Sequence, residues 1–237
     1  MTQPATLFIV CSDLSRNGKT LLARVLTDHL LIEGRDPFCF DLGGVEGALR
    51  GYFPGRTARV ELGDQREEAR FFETMLAASG RDQVIDIGAG ELAAFRAAAQ
   101  HHGFTAAAHD KGFRLCIMFI VDRDETSLRA AIALEEELVP DLFVPVINRF
   151  AGSALPEGVP GPTLAMERLD PELATIIASR RFSLRAVMLG EDTGIPLRHK
   201  TSLKNFLLAL QTGIREFAPA LSLQQLRAAS LATAKDL

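Results

Sequence analysis

The chain has 237 residues, of which 47% are hydrophobic and 24% charged, so a disordered, collagen-like or linker-dominated protein is excluded and there is ample apolar surface for a core. Twenty-six basic residues against 30 acidic ones give a net charge of −4, which excludes whole-surface attraction to nucleic acid or anionic lipid and leaves room only for a local basic patch. The length fits a single domain over 1–237, and no run approaches the roughly 18 apolar residues of a membrane span. A cytoplasmic protein is expected, with Cys11, Cys39 and Cys116 reduced inside apolar runs and no metal-ligand spacing around them.

Short runs rich in β-branched and aromatic residues alternate with helical patterns. Strands are expected at Leu7 to Cys11, Phe38 to Phe40, Val84 to Ile87, Leu115 to Val121, Leu142 to Ile147 and Ala186 to Leu189. After the first, Leu22, Val25, Leu26 and Leu30 recur at helical spacing until Gly34, a natural stop. Leu128, Ala131, Ile132 and Leu138 mark a later helix that Thr126 or Ser127 would cap. A Gly- and Pro-rich stretch, 152–162, reads as an excursion within the same domain, and helices over about 203–217 and 221–234 are separated by Pro219. Together these predict an α/β fold: a mostly parallel, twisted sheet with helices on both faces.

The most informative segment follows the first strand, where Ser12 to Asn17 form a loop and Gly18-Lys19-Thr20 open the helix. A strand, a loop and Gly-Lys-Thr at a helix start is the arrangement a phosphate loop needs. Backbone N–H groups from Ser15 to Gly18 and the helix N-terminus face the anion, Lys19 reaches the outer phosphates, and the Thr20 hydroxyl serves Mg²⁺. The bare tripeptide occurs by chance in about one chain in ten of this length, so its placement is what makes it specific. Asp13 stands where the usual pattern has its first glycine, and an acid there must turn away from bound phosphate.

Later segments carry a resemblance. Phe38-Cys39-Phe40-Asp41-Leu42-Gly43 is a strand ending in an acid, and Val84-Ile85-Asp86-Ile87-Gly88-Ala89-Gly90 is a buried strand ending in Asp before a glycine-containing loop. Phe119 to Leu128 is a strand and helix start, and Val146-Ile147-Asn148-Arg149 an Asn-Arg element. With the loop, these resemble the ParA/MinD class of P-loop ATPases, from about Leu7 to Lys200. The resemblance implies an ATP-binding, Mg²⁺-dependent switch and slow ATPase acting in plasmid or DNA partition, mobilisation or positioning. Thr20 and Asp86 would arrange the metal, Asp41 would position water or metal, and Asn148 with Arg149 would read the adenine. It also implies a nucleotide-dependent homodimer and a protein partner. The class's signature lysine falls at Leu14 and its two glycines at Ser15 and Arg16, so Arg16 is the candidate to replace that lysine as a catalytic cation.

Two other functions fit the same residues. Loss of the signature lysine suits a non-hydrolysing module that recruits a partner, and Ile87-Gly88-Ala89-Gly90-Glu91-Leu92 faintly resembles a segment of dethiobiotin synthetase-type ligases, whose loop glycines are not supplied here. Finally, Arg180, Arg181, Arg185, Arg198, Lys200 and Lys204 stand against only Glu191 and Asp192. This basic stretch is a candidate surface for non-specific DNA, with ion pairing to acidic neighbours as the alternative.

Overall fold

The computed structural model describes residues 4–43, 49–78, 80–150, 161–179 and 181–233, and for 218–233 only the helical backbone. The chain runs β1 (Thr6–Cys11), α1 (Lys19–Ile32), β2 (Phe38–Leu42), β3 (Thr57–Arg59), α2 (Gln65–Ala77), β4 (Gln83–Ile87), α3 (Leu92–His101) and α4 (Phe104–Asp110). It continues through β5 (Arg114–Val121), α5 (Glu125–Leu138), β6 (Leu142–Asn148), β7 (Leu164–Met166), α6 (Pro171–Ser179), α7 (Leu184–Leu189) and α8 (Leu197–Thr233). The strands form one sheet in the order β3-β2-β4-β1-β5-β6-β7. Every pairing is parallel, as expected from uninterrupted apolar runs covered on both faces.

Alternation along β1 divides the interior in two. Phe8 and Val10 meet Leu22 and Leu26 of α1, Leu184 of α7 and Leu203 of α8 on one face. Leu7 and Ile9 meet Phe71 and Phe72 of α2, Phe95 of α3 and Phe104 of α4 on the other. The order places the strand reversal beside β1, so the loop after β1 opens at the sheet's C-terminal edge, where ligands bind in open α/β folds. All three cysteines are free and buried.

Five of the six expected strands form, and Ala186 to Leu189 does not. It lies in α7, because the Ser183 hydroxyl accepts from the Ala186 N–H at the start and Gly190, at φ +78, closes the end. Four apolar residues carry too little periodicity to separate helix from strand, and the flanking cap decides. Strands β3 and β7, three residues each, carry no such run. Asp124, rather than Thr126 or Ser127, caps α5 by accepting from the Thr126 N–H. The expected break at Pro219 is also absent, since α8 is continuous from Leu197 to Thr233. Proline's fixed φ is itself helical, so the helix loses one backbone bond there without having to stop. Of the stretch 152–162, residues 152–160 lie outside those described.

Asp28 ties the helical layer together. Buried on α1, it accepts from the Leu184 N–H at 2.8 Å and from Ser183 Oγ at 3.1 Å, locking α7 against α1. Removing it leaves the Leu184 N–H buried without an acceptor, so Asp28→Ala should cost about 1–3 kcal/mol. Urea unfolding measures this, and the loss should exceed that of Ser183→Ala.

Candidate functional site

Ser12 organises the loop after β1. Its hydroxyl, fully buried, donates to the carbonyl of Ile120 at 2.8 Å and accepts from the Leu14 N–H at 3.2 Å and from Asn17 Nδ2. Three groups therefore share one oxygen, and the loop is pinned to the end of β5. Asp13 turns away as the sequence requires, for its Oδ1 accepts from Ser127 Oγ at 2.9 Å in the first turn of α5. Ser12 and Ser127 were not legible as site residues, although a serine two residues before a loop N–H is the sequence form of a local side-chain turn.

Gly18 sits at φ +101 just before α1, and a Cβ there would lie 2.8 Å from Asn148 Nδ2. The left-handed backbone and the close amide both require glycine. Asn148, at the end of β6, donates from that Nδ2 to the Asn17 carbonyl at 2.6 Å and accepts from the Phe150 N–H at 3.0 Å. The amide expected to read adenine thus braces the loop from behind.

Lys19 is buried in the first turn of α1. Its Nζ donates to the Leu14 carbonyl and, at 3.2 Å, to Asn17 Oδ1, and burial lowers its pKa, with Asp86 pulling the other way. An ammonium held by neutral oxygens gains when an anion takes their place. One residue on, Thr20 Oγ1 donates to Asp86 Oδ2 at 2.7 Å.

Asp86 and Asp41 are partners in the β4–β2 register and both are buried. Asp41 Oδ2 accepts from the Arg50 N–H at 3.0 Å, while its Oδ1 has no hydrogen-bond partner. Burial pushes the Asp86 pKa up to about 7; the Thr20 bond opposes this, Asp41 adds to it, and Lys19 opposes it. A hydroxyl and two carboxylates, one of them with an unpartnered oxygen, are hard donors suited to Mg²⁺. Among the described residues no cluster of three His, Cys, Asp or Glu side chains is placed to hold a metal, so a cation here would draw on Thr20 and on phosphate or water oxygens.

Lys19, Thr20, Asp41 and Asp86 therefore converge at the C-terminal ends of β1, β2 and β4. Ser15 and Arg16 are exposed on the loop, with Arg16 at φ +56. A cavity of about 340 Å³ beside the loop is lined by Arg16, Gly18, Thr20, Asn148, Phe150 and Met166, among others. Arg149 is directed to Glu167 at 3.3 Å. In the basic stretch, Arg198 pairs with Glu172 and Lys200 lies 4.0 Å from Asp192, Arg180 is outside the described residues, and Arg181, Arg185 and Lys204 are exposed.

The chain is similar to MinD cell division protein of Aquifex aeolicus, at TM-score 0.57 and 14% identity, over 90% of this chain and 97% of that one. A chain of the MinC:MinD cell division protein complex of the same organism matches at the same TM-score and identity, over 90% and 96%. No protein-family model and no curated protein sequence matches. The fold is therefore the parallel α/β fold of these MinD structures, in agreement with the architecture expected from the sequence. Among the described residues no helix is long and apolar enough to cross a membrane.

The Asp86 shift carries a sign. Its native pKa, about 7, lies above the ordinary 3.8, so the folded state binds the proton more tightly and stability falls as pH rises through that window. Asp86→Asn should be flatter with pH and more stable than wild type at pH 8 by on the order of 4 kcal/mol, with little difference at pH 4. Denaturant titrations at the two pH values check this.

Proposed function

We propose that the chain is a Mg²⁺-dependent ATP-binding switch of the MinD/ParA type, with slow hydrolysis. The observation that carries this reading is the Thr20–Asp86 hydrogen bond beside the Lys19 ammonium at the mouth of a strand-loop-helix turn. Lys19 would leave the Leu14 carbonyl for the outer phosphates, and the loop N–H groups with the N-terminus of α1 would hold the rest. Thr20 and Asp86 would hold Mg²⁺, which when bound neutralises charge on the phosphates. The base would occupy the cavity beside Asn148, with Arg149 at its margin.

Asp41 Oδ1, buried and unpartnered, is the oxygen that supports a role in orienting water. Arg16 is the exposed cation on the loop and would approach the outer phosphates either of its own nucleotide or of a second copy's. The non-hydrolysing alternative rests on one observation, that Leu14 and Ser15 replace residues the class uses for catalysis. Arg198 and Lys200 have acidic partners, so a DNA role would fall to Arg181, Arg185 and Lys204. Dimer formation and a protein partner belong to this proposal as consequences of the nucleotide state.

Calorimetry with Mg-ATP tests it. Wild type should bind, Lys19→Ala should lose at least tenfold in affinity, and omission of Mg²⁺ should weaken wild type more than Thr20→Ala; equal binding by wild type and Lys19→Ala would reject the phosphate-loop assignment. In turnover assays Asp41→Ala and Arg16→Ala should each slow hydrolysis, the latter by up to about 10³-fold if Arg16 contacts the transition state. Binding without any turnover in wild type would select the recruiting module.

A further inference from the structure

We propose that a cavity at the opposite end of the sheet, where the strands begin, is a second binding site for a small organic anion, with Arg114 as the residue that holds its charged group. The cavity, about 460 Å³, lies between the start of β1 and β5, the end of α1 and the α8 residues Ile214, Arg215 and Phe217. That volume is within the range of small-molecule sites. It shares no lining residue with the cavity beside the loop and stands independently of the ATP reading.

The charges lining it do not cancel. Arg35, Arg81, Arg114 and Arg215 face three carboxylates, Glu33, Asp36 and Asp82. Each acid is already matched: Asp82 pairs with Arg35, Asp36 with Arg81 at 2.8 Å, and Glu33 with Arg215 at 2.6 Å. Arg114 remains. It is 5% exposed, its Nε has no hydrogen-bond partner, and among the described residues no carboxylate forms an ion pair with it. Asp141, which acts on it at longer range, takes the Leu115 N–H at 2.7 Å and His109 at 2.9 Å on its Oδ2.

A second buried group on the same wall is also unmatched. His29 of α1 is 5% exposed, and its Nδ1 has no partner. Native interiors rarely leave two polar atoms unsatisfied at one place, and the one on a guanidinium is the more costly of the two. A carboxylate or phosphate suits Arg114, because guanidinium presents paired donors that match two oxygens of one anion. Phe8, Cys116, Met118 and Ile214 form an apolar wall, so the ligand carries a hydrocarbon body as well as its charge.

Methionine methyl NMR on the full chain reads the two cavities separately, since Met118 lines this one and Met166 the one beside the loop. Succinate and inorganic phosphate are titrated in turn. Succinate should move Met118 saturably and leave Met166 unmoved, and phosphate should bind more weakly at Met118 because it lacks the hydrocarbon. Arg114→Gln should weaken the Met118 response about tenfold or more, while Lys19→Ala should leave it unchanged. Arg215→Gln, a change at the exposed rim, should weaken it severalfold, and it serves as the test should Arg114→Gln not fold. Absence of a saturable Met118 shift with both probes overturns the site, as does a shift of wild-type affinity in Arg114→Gln or, failing that variant, in Arg215→Gln. A lower affinity in Lys19→Ala would place the anion at the loop and overturn it equally.

Discussion

Two carboxylates buried in register on adjacent parallel strands form the constraint around which the upper end of the molecule is arranged. Like charges at such spacing in a dry interior resist simultaneous ionisation. The chain answers with a backbone N–H on Asp41, a hydroxyl on Asp86, and a buried ammonium acting on Asp86 from the first turn of α1. These groups come from different segments, so the position of α1 relative to β2 and β4 is dictated by charge as much as by packing. The close approach continues past the strand ends: a Cβ at Gly88 would lie 3.0 Å from the Leu42 carbonyl and 3.2 Å from Gly43 Cα.

The loop after β1 holds its shape with few glycines. Ser12 and Asn17 replace backbone freedom with side-chain hydrogen bonds, and Asp13, which would repel an anion, is drawn off to Ser127. One strained position survives, Arg16 at φ +56, a conformation uncommon for a residue with a Cβ. Because Arg16 is exposed, packing of its side chain does not explain that conformation; the bonds on either side of it, from Leu14 and Asn17 to Ser12, hold the backbone there.

The sheet was legible because parallel strands buried on both faces read as uninterrupted apolar runs, and β1, β2, β4, β5 and β6 all did. What escaped lacked that signature. Three-residue edge strands have no periodicity, and Ala186 to Leu189 became a helix through Ser183 and Gly190, which lie outside the apolar run itself. In the site, Lys19, Thr20, Asp41 and Asp86 were legible from position at strand and helix ends. The use of Asn148 as a brace was not, since nothing in its local sequence says that Asn17, 131 residues away, lies against it. Arg114 was invisible as a binding residue for a related reason: an arginine at the start of a strand looks solvated until the surrounding acids are seen to have other partners.

The central place of β1 has a consequence for how the protein is made. Its neighbours β4 and β5 both follow it in the chain, and the contacts that seat it span 76 residues to Asp82 and 108 to Ile120. At translation speeds of roughly 5–20 residues per second, the strand waits about 5–20 s for the second neighbour. Through that interval Leu7, Phe8, Ile9 and Val10 are an unpaired apolar segment joined to a loop that cannot yet take shape. Early cover from α1, or a chaperone that holds extended apolar segments, would protect the nascent chain until β5 has emerged.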